Sequence, residues 1–217
     1  MQGDLFGDVP ALPPRQALGP QAWLLRGFAL PWEADLHTGL QAVLAQAPWR
    51  RVQTPAGAMS VRQTNCGALG WTADAQGYRY QPHDPLSGAP WPALPAAWGR
   101  LAQEAALAAG FAGFAPDACL INDYAPGSRM GLHQDRDERD LGAPIVSVSQ
   151  GLAAQFLWGG RRRSDPTERL PLQHGDVVVW GGVDRLRYHG VAPLREGDSA
   201  PPWGAQRINL TFRRAGA

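Results

Sequence analysis

The sequence of 217 residues contains no lysine, and all twenty basic residues are arginine. Beside an abundance of Ala, Gly and Pro this is most simply codon usage, and no function attaches to it. Cysteine is nearly as scarce. Cys66 and Cys119 are too few for a disulfide framework, and the N-terminus lacks the basic start and apolar run of an export signal. A reducing cytoplasm is the expected compartment. Charge excess is also missing: a formal net charge of +1 excludes a large basic face, so a nucleic acid would have to be gripped by a local patch. The one long uncharged stretch, residues 142–160, carries Pro, Ser, Gln and several Gly, so it reads as buried strand material and not as a membrane span.

The length suits one domain with a sizeable core. Residues 1–20 hold Asp4, Asp8, Pro10, Pro13, Pro14 and Pro20 with little periodicity, which predicts a poorly ordered arm. A strand is expected around Trp23, Leu24 and Leu25. Helical spacing of Leu36, Leu40, Val43 and Leu44 predicts a helix over 31–47, and Trp98, Leu101, Ala105 and Ala108 predict a second over 95–109, stopped by Gly110. Residues 50–94 are rich in Gly, Pro, Thr and aromatics and look like hairpins forming a lid or substrate platform. After residue 115 short strands follow one another, at 118–124, 145–149, 155–158, 176–180, 187–191 and 207–213, which suggests a sandwich or jelly roll.

Some of these strands carry chemistry. In 207–213, alternation puts Arg207, Asn209, Thr211 and Arg213 on one face and Ile208, Leu210 and Phe212 on the other. The polar face is either solvated or turned into a barrel, where two guanidiniums and an amide would hold an anionic ligand. Asn122 and Tyr124 share a face in the same way. His133 and Asp135, two apart on an extended chain, could meet one cation, but His-x-Asp is common by accident and a third ligand is required. His189 lies next to the apolar run 177–180 and the Gly181-Gly182 turn, whereas His37, His83 and His174 read as surface residues. Two His and one carboxylate on adjacent strands leave coordination positions open, as in non-haem iron(II) oxygenases. Nine Trp offer faces on which unpaired bases stack, although most should be core or rim.

His133-x-Asp135, the distal His189 and the Arg-x-Asn-x-Thr-x-Arg of residues 207–213 together resemble the AlkB family of iron(II)- and 2-oxoglutarate-dependent dioxygenases, which remove alkyl groups from nucleic-acid bases. The likeness extends to Thr64-Asn65-Cys66-Gly67, Gly70-Trp71-Thr72, Gly77-Tyr78 and the segments 116–122, 143–149 and 174–182, and is weakest before Met59.

The resemblance implies a mainly β fold with flanking α: a double-stranded β-helix with N-terminal helices and a nucleotide-recognition lid. One domain, 1–217, would comprise the arm (1–20), a buttress and lid (21–115, the lid near 50–90) and a catalytic core (116–217). It implies that His133, Asp135 and His189 ligate Fe(II), and that Asn122, Tyr124, Arg207, Asn209 and Arg213 hold 2-oxoglutarate, with Arg213 on its distal carboxylate. Trp71 and His133 would flank the base, Asp137 would lie near its exocyclic amine, and Tyr78, Tyr80 and Arg163 near the strand. Arg161 and Arg162 read as a solvated turn. The implied reaction is oxidative demethylation of bases such as 1-methyladenine and 3-methylcytosine, consuming O2 and 2-oxoglutarate and releasing succinate, CO2 and formaldehyde. The partners are alkylated single- or double-stranded DNA, or RNA; no membrane is involved and a monomer is expected. A dioxygenase acting on another substrate, a cupin-like metal-binding module without catalysis and a non-catalytic nucleic-acid binder stay open as alternatives.

Overall fold

A strand that alternates polar and apolar side chains can serve two layers at once, and residues 207–213 do so. The computed structural model describes residues 14–54, 57–74, 77–197 and 202–216. These begin with strands β1 (Arg15–Gly19) and β2 (Ala22–Leu25) and helix α1 (Glu33–Leu44). Two short strands, β3 (Gln53–Thr54) and β4 (Gly57–Ala58), precede β5 (Arg62–Gly67), the pair β6 (Gly70–Asp74) and β7 (Gly77–Gln81), and helix α2 (Ala96–Ala108). Next come β8 (Ala118–Tyr124), β9 (Met130–His133), β10 (Ile145–Gly151) and β11 (Ala154–Trp158). The last four are β12 (Glu168–Leu172), β13 (Val177–Trp180), β14 (His189–Val191) and β15 (Arg207–Arg213).

Seven strands form one antiparallel sheet in the order β1-β2-β13-β10-β15-β8-β5, and four form a second in the order β12-β11-β14-β9. The apolar face of β15 joins Val146, Val148, Val177 and Ile121 against Leu36, Leu40, Trp98 and Leu101 of the helices, in one core cluster. Burying each such side chain contributes about 1.5–3 kcal/mol. Gly39 makes room for Trp98 at the helix contact: a Cβ there would lie 2.6 Å from the indole Nε1. The second cluster fills the space between the sheets, with Ile145, Val178 and Trp180 from one and Phe156, Trp158 and Leu172 from the other. Helices, large sheet and small sheet thus make the jelly roll with an α buttress that the pattern implied, and the polar face of β15 is turned inward between the sheets.

The helices match their apolar stripes. Residues 30–32 form a separate 3₁₀ turn ahead of α1, and Gly110 closes α2 with a φ of +92°. Four expectations need correction. The arm was expected to extend to residue 20, but Arg15–Gly19 is a strand paired with β2, with the Arg15 guanidinium 3.6 Å from the Trp23 ring centroid; residues 1–13 lie outside the described residues. Second, the span 50–90 is not all lid, because β5 pairs with β8 along its whole length and is an edge of the large sheet. Third, β9 and β12 were not foreseen, the second because it contains Pro171, which an edge strand tolerates. Fourth, the strand expected from 187 begins only at His189.

Candidate metal centre and co-substrate pocket

His133 is the last residue of β9 and His189 the first of β14, and these two residues are register partners. Strand pairing therefore brings together two imidazoles 56 positions apart in the chain, with ring centroids 4.4 Å apart. Asp135 follows two residues beyond β9. Its carboxylate lies 3.6 Å from His133 Nε2 and 3.8 Å from His189 Nε2, and one donor atom from each residue falls within 4.8 Å of the others. The second nitrogen of each ring is fixed in the same way. His133 Nδ1 is 2.9 Å from the Gly131 carbonyl and His189 Nδ1 is 3.1 Å from the Arg187 carbonyl. A carbonyl only accepts, so both Nδ1 atoms carry a proton, which leaves the two Nε2 atoms, both facing Asp135, as the nitrogens that could ligate a metal.

The electrostatics suit a cation. Burial, with His133 adding to it, lowers the His189 pKa to about 3, so its imidazole is neutral at neutral pH. Burial alone would raise the Asp135 carboxyl, but the Arg213 guanidinium outweighs it, with His189 and His133, and holds the group below its ordinary value. Two imidazole nitrogens and one carboxylate, all buried or half-buried, are the donor set of a facial triad.

A cavity of about 560 Å³ opens onto this triad, and every site residue singled out from the sequence lines it. The inward row of β15 is not uniform. Asn209 is committed to its neighbours: Nδ2 donates to Ser147 Oγ at 2.9 Å and to the Val148 carbonyl at 3.0 Å, while Oδ1 accepts from Thr211. Arg213 donates to Asp135 from Nη2 at 2.7 Å and Nε at 3.1 Å, and its Nε also lies 3.2 Å from Glu138. Arg207 is different. Only 1% exposed, it gives Nη2 to Ser149 and sits 5.0 Å from the Tyr124 ring centroid, but its Nε and Nη1 are buried without partners. The guanidinium with two open donors is therefore Arg207, whereas Arg213 serves the metal carboxylate and has only its Nη1 without a partner.

The hairpin of β6 and β7 closes one side of the mouth. Trp71 stacks on Tyr78 with ring centroids 5.5 Å apart and planes 17° apart, and donates from Nε1 to Asp137 at 2.9 Å. Tyr80 donates to Glu138 at 2.8 Å. Burial pushes the Tyr80 hydroxyl well above its ordinary pKa, so it remains a donor. Arg163, opposite, donates to the Leu132 carbonyl at 2.8 Å and lies over Tyr188. Glu138, Arg185 and Gln63 were not singled out from the sequence. Glu138 is hidden in the charged run 135–140 but is buried between Tyr80, Arg185 and Arg213. Its place three residues after Asp135 was the available signal.

Fold, triad and open guanidinium together define an iron and 2-oxoglutarate oxygenase. The sequence model of the 2OG-Fe(II) oxygenase superfamily matches residues 21–213. Within it the chain belongs to the AlkB family: it is 54% identical over 213 residues to the alpha-ketoglutarate-dependent dioxygenase AlkB of Salmonella typhimurium, covering 98% of this chain and 97% of that one. The AlkB of Escherichia coli is 54% identical over 214 residues, 98% of each chain. Among solved structures, that of OsALKBH1 superposes with a TM-score of 0.82 at 28% identity, covering 93% of this chain and all of that one. Fe(II), 2-oxoglutarate and dioxygen are the requirements of this superfamily, and the His-Asp-His set fits the metal.

Proposed function

We propose that this enzyme demethylates N-alkylated bases such as 1-methyladenine and 3-methylcytosine in DNA or RNA. The observation that carries the reading is the juxtaposition, in one cavity, of a His-Asp-His set, a buried guanidinium with two unpartnered nitrogens and a tryptophan paired to a carboxylate. When bound, iron with 2-oxoglutarate and dioxygen supplies the oxidation of the N-methyl group, which leaves as formaldehyde beside succinate and CO2.

The chain's own residues do the rest. His133, Asp135 and His189 hold the metal. Arg207, with Asn122 and Tyr124, takes the carboxylate remote from it, and Arg213, already against Asp135, faces the end nearer the metal. This moves the remote carboxylate from Arg213, where the resemblance put it, to Arg207, because Arg207 has two donors to spare and no carboxylate against it, whereas Arg213 is paired with Asp135 and Glu138 and keeps only Nη1 open. Asn209 holds Ser147 and Thr211 and so shapes the floor. The base lies between Trp71 and His133 with its exocyclic amine toward Asp137, and Tyr78, Tyr80 and Arg163 border the strand. Lesions at these nitrogens sit on the pairing edge, so the nucleotide enters flipped out or from a single strand. The chain acts as one domain and as a monomer in the cytoplasm; among the described residues no helix is long and apolar enough to cross a membrane.

The test is turnover of a single-stranded oligonucleotide carrying one 3-methylcytosine, with Fe(II), ascorbate and 2-oxoglutarate. Succinate and repaired base should appear in equal amounts. Succinate without repair would move the enzyme to another substrate, and neither product would leave a metal-binding module.

A further inference from the structure

Gln63 lies on β5, lines the cavity and is only 1% exposed. Register places it opposite Asn122, and Asn122 opposite Asn209, so three amides run in a row across β5, β8 and β15. Its backbone is pinned from the other side: the N–H donates to the Arg50 carbonyl at 2.7 Å and its carbonyl accepts from Arg50 at 3.1 Å. From this fixed point Gln63 Nε2 donates to Asn122 Oδ1 at 2.6 Å, a bond buried on both sides.

An amide has one oxygen and one nitrogen end, and the partner of one end decides where the other points. With its oxygen held by Gln63, Asn122 presents Nδ2, which donates to no described residue, toward the cavity. Register puts Asn122 two residues from Tyr124, the partner of Arg207, so this N–H and the open Nε and Nη1 of Arg207 address the same end of a ligand. Gln63 itself is poorly satisfied: its Oε1 is buried with no partner. A buried acceptor without a donor costs stability, so an apolar side chain of similar size would fold at least as well there.

We propose that Gln63 is a positioning residue for the co-substrate, holding Asn122 with its N–H turned to the 2-oxoglutarate carboxylate remote from the metal. This rests on the co-substrate reading above. Without the Nε2 donor, Asn122 can rotate and offer its oxygen to an anion. Gln63→Glu goes further, because a carboxylate can only accept from Asn122 and so favours the wrong orientation.

The experiment is calorimetric titration of the Mn(II)-loaded protein without oxygen, using 2-oxoglutarate and, in parallel, 2-oxobutyrate, which lacks the remote carboxylate. Gln63→Leu should weaken 2-oxoglutarate binding by about fivefold, one hydrogen bond's worth, and Gln63→Glu by more. Binding of 2-oxobutyrate should be the same in Gln63→Leu and wild type, and Tm should hold or rise. Equal 2-oxoglutarate affinity in wild type and Gln63→Leu would overturn the proposal. So would a lower Tm with equal losses for both ligands, which is what a purely structural role predicts. A wild-type protein that binds no 2-oxoglutarate would instead overturn the co-substrate reading, and the proposal with it.

Discussion

A guanidinium buried beside a tyrosine with two nitrogens unpartnered is a poor arrangement unless something anionic meets it. Burial already lowers the Arg207 pKa, yet the group stays charged, so its open donors favour a carboxylate. Arg207→Lys replaces a planar donor set by a point charge and should weaken 2-oxoglutarate binding by roughly 1–3 kcal/mol. The half-saturating 2-oxoglutarate concentration measures this, and an unchanged value would return Arg207 to a structural role. Arg213→Lys should act elsewhere: it loosens Asp135, so Mn(II) affinity falls at least as far as co-substrate affinity, which metal titration checks. Alternation along β15 put both arginines on one face but left open whether that face is solvated or inward, and it could not rank them. Their difference lies in what faces them from other strands and loops, Ser149 and Tyr124 for one, Asp135 and Glu138 for the other. Gln63 was illegible for the same reason, since its partner is 59 positions away and meets it only through register.

Among the elements, those with strong local periodicity were readable and those that depend on neighbours were not. The bounds of β8 and β15 follow directly from alternation and a turn at each end, whereas β1 is held by pairing with β2 and β12 contains a proline. The triad was readable through the resemblance, since His-x-Asp is common by accident, but what closes it is the pairing of β9 with β14, of which β9 was not foreseen. The hairpin of β6 and β7 shows the functional side of this. It is tied to the residues just after Asp135 by two side-chain bonds, Trp71 to Asp137 and Tyr80 to Glu138. Methylation at N1 of adenine or N3 of cytosine leaves the base cationic, while 3-methylthymine is neutral, so a carboxylate held by the Trp71 N–H should favour the cationic lesions. At about 4 Å and an effective dielectric near 20 the attraction is at most about 4 kcal/mol, and desolvation should leave roughly 1–2. Asp137→Asn should therefore lower the preference for 3-methylcytosine over 3-methylthymine by about tenfold. Trp71→Phe keeps a stacking face but releases Asp137, and should shift the same ratio in the same direction. The ratio of kcat/KM on two oligonucleotides differing only in that base decides, and a wild-type ratio in both variants would remove Asp137 from base recognition.

For the whole molecule the question is how a chain with a net charge of +1 holds a polyanion. Much of its positive charge is already matched internally: Arg26, Arg50, Arg62, Arg79 and Arg187 each lie against an aspartate, and Arg185 and Arg213 are buried against Glu138. Near the cavity mouth Arg163 is exposed, beside the exposed Arg161 and Arg162. A footprint of about two or three phosphates is therefore expected, with the remaining affinity coming from the base in its pocket. Each phosphate neutralised on a single strand contributes a slope of about −0.7 to log K against log salt. Between about 50 and 200 mM salt the affinity should then fall roughly 7- to 20-fold, not the thousandfold or more of proteins gripping six to ten phosphates. Arg163→Ala should lower the slope by close to one phosphate's share without changing the ratio between lesions, because a phosphate contact carries no base information. Fluorescence anisotropy of a labelled 3-methylcytosine strand on the Mn(II) protein, across that salt range, makes the measurement. A slope steeper than about −4 would mean that the strand crosses an extended basic surface and not a short footprint at the mouth.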